Sequence, residues 1–574
     1  MNSWLRGSRS LLAPDLERPS GRLHSAVLGR MVSVGPGATN MILNTNHGVS
    51  LRMTRRDVLA TAVLPLLGWG NFLDAAPEAA PRRYHLSLSP DGIDADPDLL
   101  GIVRQAGISD VWTTGFLYGH WYYTPERIQQ NLDRIRRAGM AAHIVDVALG
   151  HPGDSLGSPS AAMPLIPPTH WRPGTRIDGR TRWGTSLHPP ATEENVAALR
   201  QLEAMGVDRV FLDDDFRIAE SPGTIGGCFC AEHLEEFRKL YGYAQGVREE
   251  LTQSVKDRQL TPVVRNWVDF WCDRLGACFH AQQSAAPRVQ LGIMVMYFGA
   301  EKAGIRLAEY SRVPFRVGEL MFSDALFRPV KGKTDELFSA LFHRRFATPE
   351  LAFSETTAFP ADQLSASNMA AKLATSTIAD VRNTMFMSGV TPFPRSHWAT
   401  LAPAMKKHAA LHRELAGHKP YGPFKHFWGE HSRYVGDDRP YSLFLASGVP
   451  FEVTSEPSSE GWTFLSDADS AALDGSQLSS PGTAFVSRLK VAGARQLDES
   501  MEDLFRLKAE LLPKQGPYPV VLGENPVVCA WYPTARACLL WNLSEQREAF
   551  ALQYAGRLRH VEVGPLDVEL VRDL

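Results

Sequence analysis

The sequence lacks an excess of charge of either sign. It has 574 residues, with 60 Lys and Arg against 63 Asp and Glu, and a formal net charge of -3. Proteins that bind nucleic acid or an anionic membrane surface usually present a basic patch that attracts the polyanion. The charge balance therefore argues against both kinds of partner.

Cysteine is also scarce, with six in the whole chain, which excludes a disulfide-rich scaffold.

The N-terminal apolar run from Val58 to Leu73 is interrupted by Pro65 and Gly68, and it is too short for a stable membrane span. The sequence shows no internal repeat and no coiled-coil pattern. What is left is a globular chain, which at roughly 150 residues per domain predicts two to four domains.

The N-terminal region has the order of an export signal. Residues 53–80 begin with the pair Arg55 and Arg56, continue with the apolar run and end in small residues, AAPEAA. This order resembles a bacterial twin-arginine signal, which implies an exported protein, periplasmic or extracellular, with no membrane contact after signal removal. An Arg pair that precedes a buried helix by chance is the alternative. Residues 1–52 are predicted to be disordered or to precede the true start codon.

Strand-like and helix-like segments alternate after the signal. Short apolar, β-branched runs predict eight strands, at 84–89, 110–118, 141–150, 209–216, 289–299, 316–323, 350–359 and 383–393. Segments with helical periodicity lie between them, and several end on a glycine, as helices commonly do. Eight such units predict an α/β fold whose main part is a (β/α)8 TIM barrel over residues 81–400. A doubly wound open sheet is the alternative, because spacing alone does not show closure.

Aromatic and charged side chains follow the predicted strands. In a barrel the loops after the strands form the functional face. Flat rings stack on sugar faces, and carboxylates hydrogen-bond sugar hydroxyls. We therefore predict a carbohydrate site, with Tyr118, Trp121, Tyr297 and Trp398 as stacking residues. The full set of predicted substrate-binding residues is Tyr118, His120, Trp121, Asp146, Arg217, Tyr297, Asp324 and Trp398.

Carboxylates at two strand ends suggest the chemistry. Hydrolysis of a glycosidic bond uses one carboxylic acid and one carboxylate on opposite sides of the bond. The predicted pair is Asp215 or Asp214 on strand 4 and Glu355 on strand 7. Strand alternation puts Asp213 and Asp215 on one side and Asp214 on the other. Asp213 is predicted to be structural, bonded to a loop amide, and Arg217 could keep its neighbours ionised.

The segment after these aspartates resembles a known family. Residues 227–243, GCFCAEHLEEFRKLYGY, are similar to the passage after strand 4 in family-42 β-galactosidases of glycoside hydrolase clan A. Those enzymes have C-x-C-x-x-C there, matched here by Cys228, Cys230 and His233. The resemblance implies a structural zinc site, which normally has four ligands. The upstream cysteine of those relatives is missing here, and the candidates for the fourth ligand are Cys272, Cys278 and His151.

The same resemblance assigns catalytic roles. The clan carries its acid/base at the end of strand 4 and its nucleophile at the end of strand 7, which implies Asp215 or Asp214 as acid/base and Glu355 as nucleophile. The clan's strand-4 motif is Asn-Glu, whereas this chain has Asp-Asp. Barrel enzymes of the α-galactosidase type use an aspartate nucleophile on strand 4 and an aspartic acid/base on strand 6, which would select Asp324. The two assignments imply different anomeric configurations of the substrate, and the sequence is compatible with both.

Two smaller domains are predicted after the barrel. Residues 401–516 resemble the α/β, amidotransferase-like domain of family-42 enzymes, which often assembles them as trimers. This segment contains no cysteine and no nucleophile elbow, so we expect a structural domain of Rossmann-like α/β type. Residues 517–574 alternate in short strands and predict a C-terminal β-sandwich, with Cys529 and Cys538 in its core.

The function predicted from the sequence is an exported, β-galactosidase-like glycoside hydrolase. Its partner would be a carbohydrate substrate, with no cofactor for catalysis, a structural zinc and a homotrimer as further expectations. A non-catalytic carbohydrate-binding barrel is the chief alternative. A metal-dependent barrel hydrolase or isomerase, with His143, His151 and the aspartates as ligands, is a more distant one.

Overall fold

The structure is a computed structural model. It describes residues 81–149, 167–213, 216–219, 224–296, 298, 300–318, 322–458, 460–473, 483–511 and 518–574. The predicted export signal and the segment before it lie outside these ranges. Among the helices described, none is both long enough and apolar enough to cross a membrane.

Eight parallel strands form a closed barrel. The first eleven strands of the chain are β1 (Arg83–Ser87), β2 (Asp110–Leu117), β3 (His120–Trp121), β4 (Ala141–Val147), β5 (Pro173–Thr175), β6 (Thr181–Thr185), β7 (Arg209–Leu212), β8 (Gln290–Val295), β9 (Phe315–Gly318), β10 (Ala352–Thr357) and β11 (Asn383–Met387). The barrel order is β1-β2-β4-β7-β8-β9-β10-β11, and β11 pairs back onto β1. The predicted TIM barrel and its eight strands are confirmed, and the open sheet is excluded.

Helices surround the barrel, and their ends follow the usual capping rules. They are Pro90–Ala95, Leu99–Ala106, Pro125–Arg137, Ala191–Ala204, Ala231–Tyr241, Val247–Lys256, Pro262–Ala285, Asp324–Phe327, Val330–His343, Ala366–Ile378 and Arg395–Leu415. Thr124 caps the third of these helices by accepting a hydrogen bond from Arg127 N, which satisfies one of the free amides of its first turn. Gly107 ends the second helix with φ 115°, a conformation that side chains other than glycine rarely adopt.

A buried polar network closes the N-terminal end of the barrel. Asp110 at the start of β2 is fully buried, accepts hydrogen bonds from Arg83 (2.6 Å to Nη2) and pairs with His143 (3.1 Å to Nε2). Burial alone would raise the pKa of Asp110, but the hydrogen bond from His143 and the neighbouring charges hold that pKa well below its ordinary value. His143 therefore belongs to the floor of the barrel, opposite the functional face, which removes it as a ligand of a catalytic metal.

The second domain is a doubly wound α/β sheet. Its parallel strands are β12 (Phe424–Phe427), β13 (Phe451–Thr454), β14 (Gly461–Leu465), β15 (Thr483–Ser487) and β16 (Ala494–Gln496), with helices Glu430–Val435, Asp467–Ala472 and Met501–Leu511. The order is β13-β12-β14-β15-β16. Sheets of this order bind ligands where the winding reverses, here between β12 and β14. Asp469, 2% exposed, lies there and accepts hydrogen bonds from Gly429 N (2.8 Å) and Ser432 Oγ (2.5 Å), so its carboxylate is used in fixing the loop after β12.

The chain ends in two packed antiparallel sheets. The strands are β17 (Val520–Leu522), β18 (Val527–Tyr532), β19 (Ala537–Asn542), β20 (Glu548–Tyr554), β21 (Arg557–Val563) and β22 (Val568–Arg572). One sheet has the order β17-β20-β21 and the other β18-β19-β22, as predicted for a small β domain. Cys529 and Cys538 are fully buried free thiols with their sulfur atoms 3.4 Å apart, so they are core residues. Lys407 of a barrel helix binds Asp567 at 2.7 Å and ties this domain to the barrel.

The barrel floor makes a testable contribution to stability. Replacing Asp110 with Asn removes the buried counter-charge of Arg83 and the charged partner of the His143 ring, and we expect the free energy of unfolding at pH 7 to fall by about 3 kcal/mol. A carboxyl whose pKa is lowered by folding contributes fully above pH about 4, and the contribution is lost as the pH falls below that value. Denaturant unfolding of both proteins between pH 3 and 7 should therefore show a difference that shrinks at the acid end. Asp133→Asn, on an exposed helix face, is the control, and equal stability of Asp110→Asn and wild type at pH 7 would contradict the assignment.

Candidate active site

Three charged side chains from three barrel strands meet inside the barrel. Arg316 on β9 is fully buried, and its Nε lies 2.8 Å from Oε2 of Glu355 on β10. Its Nη2 forms an ion pair with Asp213, the residue that follows β7. Since β8 and β9 separate β7 from β10, Arg316 connects two carboxylates that the sheet order keeps apart.

Strand alternation explains why these side chains point inward. On β9, Phe315 faces the surrounding helices and packs against His343, so its neighbour Arg316 faces the interior. The guanidinium lies over the ring of Phe211 (5.0 Å to the centroid) and 3.3 Å from the sulfur of Met385. Beneath it is an apolar layer made of Trp112, Val145, Phe211, Phe353, Met385 and Met387.

Glu355 is buried against a positive charge and a hydroxyl group. Its carboxyl is 2% exposed, receives a hydrogen bond from Thr357 Oγ1 and faces the Arg316 guanidinium. A positive charge at this distance stabilises a carboxylate, and burial without one would be costly. The contact is a close charge pair without aligned hydrogen bonds, since Oε2 of Glu355 and Nε of Arg316 are both buried with no hydrogen-bond partner. Burial lowers the pKa of Arg316, and the charge of Glu355 opposes that shift.

Asp213 differs from its prediction. It was expected to bind a loop amide through its side chain, whereas the structure pairs it with Arg316. Its backbone N–H donates to Asp146 O at 2.7 Å, which continues the strand pairing and directs its side chain inward. Arg316 was missed altogether, although an arginine at an inward position of a predicted barrel strand is an unusual signal. Three predicted residues, Asp214, Asp215 and Tyr297, lie outside the described residues.

Asp146 is a buried carboxyl at the end of β4. Its Oδ1 accepts a hydrogen bond from Phe116 N at 2.7 Å. Burial raises the pKa of Asp146 to about 7, and the hydrogen bond from Phe116 opposes the shift. The room for this carboxyl comes from Gly115, because a Cβ at that position would lie 2.2 Å from Oδ1. Asp146 therefore holds the irregular end of β2 in place next to Asp213.

The predicted aromatic residues after β2 form a short hairpin. His120 and Trp121 make up β3, which pairs with Phe116 and Leu117 of β2. Trp121 is half-buried with its ring 5.3 Å from that of Phe116. Tyr118 is only 5% exposed and belongs to a small apolar cluster with Leu117. Trp121 and His120 keep accessible surface for a sugar, whereas most of Tyr118 is used in packing.

Three other predicted sugar-binding residues are engaged elsewhere. Trp398 is 3% exposed and packs edge-on against Phe386 and Phe393, so the structure corrects its assignment as a stacking residue. Asp324 Oδ1 accepts hydrogen bonds from Ser365 N (2.8 Å) and Oγ (3.0 Å) and from the side chain of Asn368 at 2.8 Å, which fixes the start of the helix Ala366–Ile378. Arg217 is buried and donates to Ala219 O at 2.8 Å, holding its own loop.

A group of metal-binding side chains lies where the C-x-C-x-x-H motif predicts one. Donor atoms of His188, Cys230 and His233 all fall within 4.8 Å of one another. The sulfur of Cys230 lies 3.5 Å from His188 Nε2 and 3.3 Å from His233 Nδ1. Burial and the neighbouring His188 lower the pKa of His233 to about 3, so its ring is in the neutral form that ligates metals. The donor set of thiol and imidazole fits zinc.

The other cysteine of the motif and the cysteines predicted as fourth ligands lie outside this group of three residues. Cys228 is buried beside the group and accepts a hydrogen bond from Thr175 N at 3.3 Å. Cys272 and Cys278 lie on the helix Pro262–Ala285 with other partners, Glu301 O and Thr192, which removes them as candidates for the fourth ligand. His151 lies outside the described residues. His188, which the sequence analysis did not single out, lies with Cys230 and His233 in the group of possible metal ligands.

Solved structures of β-galactosidases share this fold. A cold-adapted β-galactosidase from Rahnella sp. R3 is 11% identical, with a TM-score of 0.54, over 86% of this chain and 98% of that one. A catalytic mutant of a GH42 β-galactosidase from G. stearothermophilus is 10% identical (TM-score 0.53, 86% of this chain, 98% of that one), and the β-galactosidase of Marinomonas ef1 is 10% identical (TM-score 0.52, 85% and 99%). The chain has the fold of these β-galactosidases. No family model and no curated protein matches the sequence.

The likeness to the β-galactosidase fold covers 86% of this chain. Because the likeness covers nearly all of each solved chain, it includes the two smaller domains as well as the barrel. The resemblance predicted from the strand-4 segment is thereby confirmed at the level of the fold. At this low identity it carries no information on which side chains are shared.

The buried carboxyl of Asp146 makes the stability depend on pH. Its pKa is raised by folding, so the folded state binds more protons than the unfolded state between pH about 4 and about 7, and stability falls as the pH rises through that range. Asp146→Asn keeps the acceptor for Phe116 N and removes the titration. We expect the variant to gain stability relative to wild type by a few kcal/mol between pH 5 and 8, measured by denaturant unfolding. Asp362→Asn, at an exposed position, is the control, and parallel pH profiles for wild type and Asp146→Asn would refute the shift.

Proposed function

We propose that the protein is a glycoside hydrolase that cleaves an O-glycosidic bond of an oligo- or polysaccharide. The observation that carries the proposal is Glu355, a carboxylate paired with the buried guanidinium of Arg316 on the seventh strand of the barrel. Catalytic groups of TIM barrels come from the C-terminal ends of strands, and Glu355 lies two residues before the end of β10. The β-galactosidase fold supports the same function.

The proposed mechanism divides the work between two strands. Glu355, held ionised by Arg316 and bonded by Thr357, would attack the anomeric carbon, and the bond to the leaving oxygen would break. Asp215 or Asp214, after β7, would protonate that oxygen and then activate the water that releases the sugar. A carboxyl separation of about 5 Å would give retention, and a wider one inversion. The α-galactosidase-type alternative has less support, because Asp324 is engaged in capping a helix.

The decisive experiment replaces Glu355 with Gln in protein that starts at residue 81. The two side chains are nearly isosteric, so we expect the fold to persist while kcat falls by at least about 10³-fold. Wild type and variant are assayed on a panel of aryl α- and β-glycosides and on plant and microbial oligosaccharides. Near-UV circular dichroism checks the fold, and Glu126→Gln on an exposed helix is the matched control. Full turnover by Glu355→Gln would remove this residue from the mechanism.

A non-catalytic carbohydrate-binding barrel is the second candidate function. It is favoured by the depth of Glu355, which is 2% exposed and already paired with Arg316, since a carboxylate could serve there only to stabilise the barrel. The same glycoside panel distinguishes a hydrolase from a binding barrel. Binding of oligosaccharides on a sugar array by a wild-type protein that hydrolyses none of the panel would favour the binding barrel.

We further propose a structural zinc ion held by Cys228, Cys230, His233 and His188. The donors come from the segment after β6 and from the start of the helix Ala231–Tyr241, so the ion would join two segments beside the barrel. Zinc sites of this kind contribute directly to folding stability. The ion would take no part in the hydrolysis.

The zinc proposal predicts a change in metal content and stability. Elemental analysis of purified protein should give one zinc per chain, and a chelator should lower the melting temperature by several degrees. Cys230→Ser and His188→Ala should each lose most of the metal. Cys278→Ser, which removes a buried thiol outside the group, should keep it. Wild-type protein without zinc and with a melting temperature indifferent to chelator and to added zinc would overturn the proposal.

Export and assembly complete the proposed function. The twin-arginine resemblance supports action outside the cytoplasm after cleavage near residue 80, and the family resemblance supports a homotrimer. Mass determination of the exported protein and light scattering in solution test the two points separately.

A further inference from the structure

Arg316 occupies the position where the two carboxylates of the barrel interior come together. Its Nε faces Glu355 on one neighbouring strand, and its Nη2 faces Asp213 across the barrel. The remaining contacts are the ring of Phe211 and the sulfur of Met385, which offer no charge. One guanidinium thus serves two carboxylates from opposite sides.

We propose that Arg316 is a positioning residue of the hydrolytic site, which keeps the Glu355 carboxylate ionised and oriented for attack, with Asp213 holding the other edge of the guanidinium. The inference rests on the proposed function and deepens it. It assigns a role to a residue that touches neither the sugar nor the leaving group.

The charge balance is the first argument. Among the described residues, the charged groups that face Glu355 are Arg316 from β9 and, through it, Asp213 after β7. The neighbouring strand β11 presents Met385, and β10 itself presents the hydroxyl of Thr357. Without the guanidinium, two carboxylates would share a buried, apolar space, and at least one would take up a proton. A protonated Glu355 is not a nucleophile, so the guanidinium is required for attack.

The geometry of the contact is the second argument. Arginine presents its donors in a planar fork, and a carboxylate at Nη2 holds that side of the fork by charge, since Nη2 has no aligned hydrogen-bond partner. Asp213 supplies that carboxylate. The pair between Nε and Oε2 of Glu355 is close but not aligned as a hydrogen bond. The contact therefore supplies charge without tying up the Glu355 oxygen in a strong directed bond.

The test compares Arg316→Lys and Arg316→Met with wild type in the full chain from residue 81. The readouts are kcat, KM and the pH profile of kcat/KM on the glycoside that wild type hydrolyses best. For Arg316→Met we expect kcat to fall about 10²-fold or more and KM to stay within about threefold. The acidic limb of the kcat/KM profile should shift to higher pH by at least one unit. Arg316→Lys keeps the charge, so it should recover part of kcat and bring the acidic limb most of the way back to its wild-type pH.

Asp213→Asn separates charge from orientation. Among the described residues it leaves the guanidinium with Glu355 as its one carboxylate partner, so the acidic limb should not move to higher pH, while kcat falls because the fork has lost its second anchor. A wild-type acidic limb in Arg316→Met, with kcat lost to the same extent in Arg316→Met and Arg316→Lys, would show a merely structural role and overturn the inference. If Arg316→Met does not fold, Arg316→Gln, which also removes the charge, takes its place and is judged by the same shift of the acidic limb.

The two proposals fail in different ways. Loss of turnover in Glu355→Gln together with an unshifted profile in Arg316→Met would keep the glycosidase and reject the role of Arg316. Full turnover in Glu355→Gln would reject the proposed nucleophile, and the role of Arg316 with it. A shifted profile in Arg316→Met, recovered in Arg316→Lys, and an inactive Glu355→Gln support both.

Discussion

The buried ion pairs of Arg316 are the constraint on which the barrel's interior depends. Three charges from three strands lie where the side chains of Trp112, Phe211, Phe353 and Met385 exclude water. Removing one partner of such a group leaves an unpaired buried charge, which is among the most destabilising changes in a protein. Closure of the barrel is what brings Asp213 and Glu355 to the same guanidinium. The fold and the proposed chemistry therefore depend on the same contacts.

The two ends of the barrel use polar groups in different ways. At the floor, Asp110 bonds Arg83 and His143, and His85 bonds Trp112 and Asn383, all within the first residues of their strands or next to them. At the upper level, Glu355 and Arg316 keep buried atoms without aligned partners. Buried polar groups are usually satisfied in stable interiors, so the unaligned atoms of Glu355 and Arg316 are consistent with a functional role for this level of the barrel.

Much of the architecture follows from local sequence patterns. Strand runs, helix periodicity and glycines at helix ends predicted all eight barrel strands, the α/β domain and the C-terminal sheets, because these signals depend on neighbouring residues. The strand-4 motif led to Cys230 and His233, which do lie together. Position after a strand was a weaker guide. Trp398 was assigned to the sugar site on that ground. It lies instead in the first turn of the helix Arg395–Leu415, and its ring packs against Phe386 on the outer side of β11.

By itself the sequence determined the order of elements, the balance of charge and the identity of Glu355 as a carboxylate on the seventh strand. Only the tertiary structure decided which charges meet. Arg316, Asp213 and Glu355 are separated by up to 142 residues (355 minus 213), and His188 is 42 residues from Cys230. Pairing at such separations depends on strand register and barrel closure, which fix the direction of each side chain through contacts that no local pattern contains.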